Sequence, residues 1–200
     1  MTRIGVLALQ GAFAEHVGVF SRLGAQAIEV RLPEHLTGLD GLVVPGGEST
    51  TISHLMAEYG LLSPLQRMAG EGLPVWGTCA GLIMLAKRGA DLAFPTLAVM
   101  DISVRRNAFG RQVESFEAEL DVPALGPAPF PAVFIRAPVI AETGPRVQVL
   151  ACHNGGAIVA AQEGNLLATA FHPELTDDLR FHRHFLEIAA AAKAAVGSRT

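Results

Sequence analysis

Three short apolar runs constrain the fold most. Residues 3–9, 40–44 and 73–77 are almost wholly apolar, and each ends in small residues that lead into a helix-forming segment. Continuous apolar runs of this length suit strands buried on both faces, as in a parallel sheet. Between them, residues 13–23 read as a helix with Gly24 as its C-cap, and residues 26–31 as another strand, ended by Pro33. Residues 48–58 read as a helix and residues 62–69 as a shorter one. This βα rhythm predicts an α/β fold: an open, doubly wound, mostly parallel sheet. After Gly89 the rhythm changes. Residues 97–104, 115–120, 132–135, 146–151, 157–161 and 166–171 look like short strands separated by Pro- and Gly-containing turns. They predict added antiparallel strands and hairpins. Residues 177–193 form a closing helix whose Ala-rich end frays. Neither repeats nor linkers divide the chain, so residues 1–200 read as a single domain.

Composition excludes several roles. Half the residues are hydrophobic, 17% are charged and the net charge is −4. Such a chain buries a core, and without a clustered basic surface it predicts no nucleic-acid partner. No run approaches the length of a membrane span, and residues 1–11 do not read as a signal peptide. Two cysteines, Cys79 and Cys152, fit a reducing compartment, so the chain reads as cytoplasmic.

The third apolar run ends in Gly77-Thr78-Cys79-Ala80-Gly81, followed by a helix-forming apolar stretch. This is the thiol form of a nucleophile elbow, in which small neighbours let a strained backbone present the side chain. A cysteine at a helix N-terminus is also favoured as thiolate. A buried structural cysteine in a βα connection satisfies the same five residues. A cysteine nucleophile needs a base and a group to orient it. Phe171-His172-Pro173-Glu174 offers both: with the segment extended, His172 and Glu174 lie on one side and the carboxylate holds the imidazole. By itself such a turn is more often a plain surface turn. Pro45-Gly46-Gly47-Glu48-Ser49 has the form of an anion-binding corner whose N–H groups suit an oxyanion. It is also an ordinary βα turn with Ser49 or Thr50 as N-cap.

Taken together, these stretches resemble the class I, triad-type glutamine amidotransferases. Pro45-Gly46-Gly47-Glu48-Ser49-Thr50-Thr51, the Cys79 elbow and the stretch from Phe171 to Asp178 carry the resemblance. Gly47-Glu48-Ser49-Thr50-Thr51, Arg106 through Gln112 and Pro173 through Asp178 narrow it, and the stretches around Gln10-Gly11, Glu15-His16 and Glu114-Ser115-Phe116 also match. They are similar to the glutaminase subunits of pyridoxal 5'-phosphate synthase, the PdxT family. The resemblance implies a flavodoxin-like three-layer sandwich and a triad of Cys79, His172 and Glu174. It implies an L-glutamine site at Gly47, Glu48, Ser49, Arg106, Ile135 and Arg136, and an oxyanion hole from the N–H groups of Gly47 and Ala80. Arginine suits a free carboxylate by charge and forked donors. Without the resemblance, Arg106 and Arg136 read as surface charges.

The resemblance further implies a hetero-oligomeric complex with a synthase barrel subunit, and a loop at Gln10 and Gly11 that the partner reshapes. Pyridoxal 5'-phosphate is then the product of the complex; no cofactor and no metal are expected here. Cys152 reads as a buried small hydrophobe, and His182 and His184 as a polar face of the closing helix. His16, His35 and His54 read as surface or locally bonded residues, with His16 near the partner by family position. The rivals are a cysteine peptidase or DJ-1-like protein, and a subunit that keeps the fold without chemistry. The His172-x-Glu174 spacing and the Gly46-Gly47-Glu48 corner argue against the first; the intact trio argues against the second.

Overall fold

The computed structural model describes residues 1–89, 92–106 and 115–197. Its first half is the expected βα alternation: β1 (Arg3–Leu7), α1 (Phe13–Arg22), β2 (Gln26–Val30), β3 (Gly41–Val44), α2 (Ser49–Glu58), α3 (Leu62–Gly70) and β4 (Val75–Thr78). After the elbow come α4 (Ala80–Leu85), β5 (Ala86–Gly89), β6 (Met100–Arg105), β7 (Ser115–Leu120) and β8 (Phe130–Ile135). The chain continues through β9 (Val139–Thr143), β10 (Gln148–His153), β11 (Ala157–Glu163), β12 (Leu166–Thr169) and α5 (Arg180–Gly197).

The main sheet runs β2-β1-β3-β4-β12-β11-β9-β6-β5, with β10 added to β11. Strands β2, β1, β3, β4 and β12 run parallel to one another; β11 pairs antiparallel with β12, β9 and β10. The chain steps from β1 outward to β2, then returns to place β3 on the other side of β1. That reversal is the switch point at which open α/β sheets form a crevice beyond the carboxyl ends of their strands. Strands β3, β4 and β12 are buried at every position, which is what their unbroken apolar runs require.

Three expectations about elements are corrected. The helix after the elbow is only six residues long, and the chain passes directly into β5, which pairs parallel with β6. The apolar residues 82–85 keep the helix their character predicts, and only Ala86 leaves it to begin the strand that pairs with β6. Strand β9 occupies a stretch that the turn-based reading left between strands, and it bridges β6 and β11. The pair β7–β8 does not join the main sheet; it forms a separate antiparallel ribbon.

The core is rich in aromatics on one side. Trp76 of β4 meets Phe181, His182 and Phe185 of α5, with ring centroids 4.9–6.3 Å apart. Phe130 and Phe134 of β8 pack on Phe171, tying the ribbon to the chain just after β12. Each such fully buried aromatic contributes roughly 1.5–3 kcal/mol. Together they hold the segment from Phe171 to α5 rigidly under the carboxyl ends of β4 and β12.

Candidate active site

Four connections converge on the carboxyl edge of the sheet. They are Gln10-Gly11-Ala12 after β1, Pro45-Gly46-Gly47-Glu48 after β3, Cys79 after β4 and Phe171-His172 after β12. Cys79 has φ +49° and ψ −105°, a backbone region that side chains avoid at a cost of roughly 1–3 kcal/mol. Its N–H donates to Thr169 O at 2.8 Å and its carbonyl accepts from Leu82 N at 3.1 Å, so both strand and helix hold the turn. The flanking glycines are required by close approach. A Cβ on Gly77 would stand 2.7 Å from Leu82 N, and one on Gly81 would stand 2.7 Å from Val44 C and be driven onto the Val44 carbonyl.

His172 and Glu174 meet as the sequence spacing predicts, by a different backbone route. Pro173–Leu175 is a 3₁₀ turn, not an extended segment. His172 N donates to Val133 O at 2.8 Å, and Leu175 N closes the turn onto His172 O at 3.2 Å. Nδ1 of His172 then lies 2.7 Å from Glu174 Oε1. A carboxylate only accepts, so Nδ1 carries the hydrogen and Nε2 is left for the thiol. Burial favours the uncharged His172 ring, but the bonds to Cys79 and Glu174 outweigh it and raise its pKa to about 10. Burial also penalises the Glu174 carboxylate; the His16 and His172 imidazoles beside it reverse this and hold its pKa well below the usual range.

The Gly46-Gly47 corner closes over this pair. A Cβ on Gly46 would stand 3.0 Å from His172 Nδ1 and 3.2 Å from Cys79 Cβ. Gly46 is fixed at both ends: its N–H donates to Thr78 Oγ1 at 3.0 Å and its carbonyl accepts from Ala12 N at 3.0 Å. Gly11 has φ +98°, and a Cβ there would collide with the Gly46 carbonyl. Gln10 Oε1 accepts from Glu48 N at 2.8 Å and fills the space beside Gly47 that a side chain would need. The Gln10 loop is therefore in direct contact with the corner.

The remaining candidate residues divide. Glu48, not Ser49 or Thr50, is the N-cap of α2. Its carboxylate accepts from Thr50 N at 3.1 Å and Thr51 N at 2.7 Å, and these bonds lower its pKa against the cost of burial. A carboxylate satisfies two free N–H groups at once and suits the positive end of the helix. Arg106 Nη2 reaches Glu48 Oε1 at 3.3 Å, so these two candidates are adjacent. Ser49 is buried at the first turn of α2. Ile135 O accepts from Cys79 Sγ at 3.7 Å, and Ala80 begins α4 directly after the nucleophile position. Arg136 follows Ile135 with φ +42° and is exposed. The motif residues from Asn107 to Glu114 lie outside the described residues.

Other side chains are placed differently from their sequence reading. His16 and His182 are wholly buried, not a surface residue and a polar face, and His16 therefore offers nothing to a partner's surface. His16 Nε2 lies 3.3 Å from both Glu174 Oε2 and Thr78 Oγ1, and its Nδ1 lies 3.0 Å from His182 Nε2. A signal existed. His16 falls on the same helical stripe as Val19 and Phe20, and His182 on the stripe of Phe185 and Ala189. Cys152 is exposed, because β10 is irregular beside it and turns it outward. His35 accepts from Arg31 N at 3.2 Å, and His184 bonds Gln162 at 2.9 Å. Among the described residues no group of three or more His, Cys, Asp or Glu side chains has a metal-holding arrangement. No helix among them is long and apolar enough to cross a membrane.

A doubly wound sheet, a strained cysteine elbow and a buried His–Glu pair beside it fit a glutamine amidotransferase. The comparisons agree. Residues 6–191 match the model of the SNO glutamine amidotransferase family, and the chain belongs to that family. It is 58% identical over 186 residues to a pyridoxal 5'-phosphate synthase subunit PdxT of Herpetosiphon aurantiacus, covering 92% of this chain and 98% of the relative. It is 60% identical over 185 residues to the protein of the same name from Pelotomaculum thermopropionicum, covering 92% and 94%. A solved glutamine amidotransferase superposes with a TM-score of 0.89 at 52% identity, over 94% of this chain and 98% of that one.

Proposed function

We propose that this chain, acting as one domain over residues 1–200, is the cytoplasmic glutaminase subunit of a pyridoxal 5'-phosphate synthase. It hydrolyses L-glutamine to L-glutamate and ammonia. The ammonia passes to a synthase barrel subunit, which builds the vitamin from a pentose phosphate and a triose phosphate. The observation that supports the chemistry is the Cys79 elbow facing a His172 ring held at 2.7 Å by the buried Glu174. The relatives' shared name supports the pathway.

The steps follow from these groups. Cys79 Sγ gives its proton to His172 and attacks the side-chain amide carbon of glutamine. The negative oxygen that forms is met by the N–H groups of Gly47 and Ala80. His172 then protonates the leaving nitrogen, the C–N bond breaks, and ammonia leaves a glutamyl thioester on Cys79. Water attacks the thioester, His172 takes its proton and returns it to the thiolate, and glutamate is released. Glu174 keeps the imidazole in one tautomer throughout. Arg106 and Arg136 take the substrate's free carboxylate, with Glu48, Ser49 and Ile135 lining its place.

The Gln10-Gly11 loop supports dependence on a partner. It holds the Gly46 carbonyl through Ala12 N and crowds Gly47 with Gln10 Oε1, so a partner that moves it resets the oxyanion corner. The test is ammonia release from glutamine by the chain alone and with the synthase subunit, each beside Cys79→Ala. Release that rises with the partner and falls by roughly 10⁴-fold in Cys79→Ala is expected. Equal turnover with and without the partner overturns the loop's role; no release in either state overturns the glutaminase.

A further inference from the structure

The triad's carboxylate does not end the polar chain. Glu174 has no exposed side-chain surface, and only its Oε1 is used by His172. Oε2 is buried and has no in-line hydrogen bond among the described residues; the imidazole facing it is His16 Nε2, at 3.3 Å. His16 stands on α1, 158 positions before Glu174 (174 − 16), and is itself wholly buried.

Donor and acceptor counting assigns the hydrogens. Glu174 only accepts, so His16 Nε2 carries one. His182 Nδ1 is buried without a partner, and a bare acceptor there costs less than a stranded N–H. His182 therefore holds its hydrogen on Nε2 and donates it to His16 Nδ1 across 3.0 Å. Burial, with His16 beside it, strongly disfavours the charged form of His182, which agrees with this arrangement. Thr78 Oγ1, already accepting from Gly46 N, is hydrogen-bonded to His16 Nε2 at 3.3 Å, so in this structure it competes with Glu174 Oε2 for that nitrogen. The same histidine thus touches the groups that fix both the triad's carboxylate and the Gly46 corner. Contacts of this kind are commonly long without substrate and shorten in the reacting complex.

We infer that His16 is a positioning residue for the reaction: its Nε2–H anchors Glu174 Oε2, and His182 fixes the tautomer that makes it a donor. This rests on the triad reading above. The groups facing Glu174 and the histidine pair are His172 on its own turn, His16 and Arg22 on α1, Thr78 on β4, and His182 on α5. Loss of the donor leaves Glu174 with a higher pKa and a freer rotation. The acid side of the pH profile then moves upward.

The test compares His16→Gln with His16→Asn in the full chain. A glutamine amide reaches the place of Nε2; an asparagine amide reaches only the place of Nδ1. Two readouts are taken: kcat and KM for glutamine in the complex with the synthase subunit, and the rate of iodoacetamide alkylation of Cys79 against pH. The exposed Cys152 serves as internal reference in the same mass spectra. His16→Gln is expected within about threefold of wild type. His16→Asn is expected to lose roughly 10–100-fold in kcat with KM little changed, the scale seen when an outer partner of a working imidazole is removed. Its acid limb for Cys79 alkylation should rise by about one pH unit, a shift that a purely structural loss does not produce. Equal behaviour of the two variants, or an unmoved alkylation profile in His16→Asn, overturns the inference. Wild-type complex without ammonia release overturns the glutaminase instead, and the alkylation profiles still decide the role of His16.

Discussion

Two polar regions meet at the carboxyl edge and are built on opposite terms. Behind the nucleophile, Glu174, His16 and His182 have no exposed side-chain surface and sit against Trp76 and Phe20. In front of it, the Gln10–Glu48–Arg106 corner is solvated: Arg106 and Glu48 side chains are 31% and 49% exposed. In the dry region each hydrogen has few places to go, and a wrong charge is expensive. In the wet region bonds exchange with water at little cost. The difference suits the two tasks. Under the proposed function, proton handling needs fixed tautomers, whereas a binding corner opens for substrate and yields to a partner.

The sharpest way to break this comparison is acid. His182 is held below its ordinary pKa of 6.5, so the unfolded chain binds the extra proton first and stability falls as pH drops below 6.5. The slope for this group is roughly 1.4 kcal/mol per pH unit. Glu174 adds its own loss below 4.5, as its depressed folded pKa requires. His172 acts oppositely. Raised to about 10, it gives full stabilisation below pH 6.5 and loses it progressively as pH climbs from there through about 10. Urea midpoints from pH 4 to 10 should therefore peak near neutrality. In His182→Phe the acid fall should flatten; an unchanged acid limb would show that the dry region is not what senses protons.

Gly46→Ala probes the seam between the regions. The added carbon meets His172 and Cys79, so kcat should fall by at least roughly 100-fold. Overpacking should cost about 1–3 kcal/mol in thermal or urea unfolding. Glu48→Ala lies in the wet region and removes a helix cap. About 1 kcal/mol of stability should be lost, with KM for glutamine raised more than kcat is lowered. Arg106→Ala should be smallest in stability, under about 0.5 kcal/mol, because its ion pair with Glu48 is solvated. Its effect should appear in KM. A stability loss from Arg106→Ala matching that of a buried variant would erase the distinction between the two regions.

What was legible in the sequence is what neighbouring residues decide among themselves. The apolar runs before Gln10, Pro45 and Cys79 named three parallel strands. Gly77-x-Cys79-x-Gly81 named a strained turn, and the two-residue spacing of His172 and Glu174 named their contact. The site's three motifs each end or follow a strand, so the doubly wound reading already put them on one edge. The strands β5 and β9 were not legible, since short stretches take strand form only when a neighbour offers its edge. The capping role of Glu48 was half legible: the helix start was clear, but which side chain closed it depended on the orientation of the corner. His16 and His182 were misread because a histidine on a helical stripe carries no sign of what faces it. They come together 166 positions apart, under Trp76, only when α1 and α5 pack against the sheet. The sequence by itself determined most of the elements and the short motifs that carry the proposed chemistry, through local backbone sterics and hydrophobic period. Only the tertiary structure decided which buried polar groups satisfy one another, because in a dry core a hydrogen bond must be supplied by whatever the packing brings within reach.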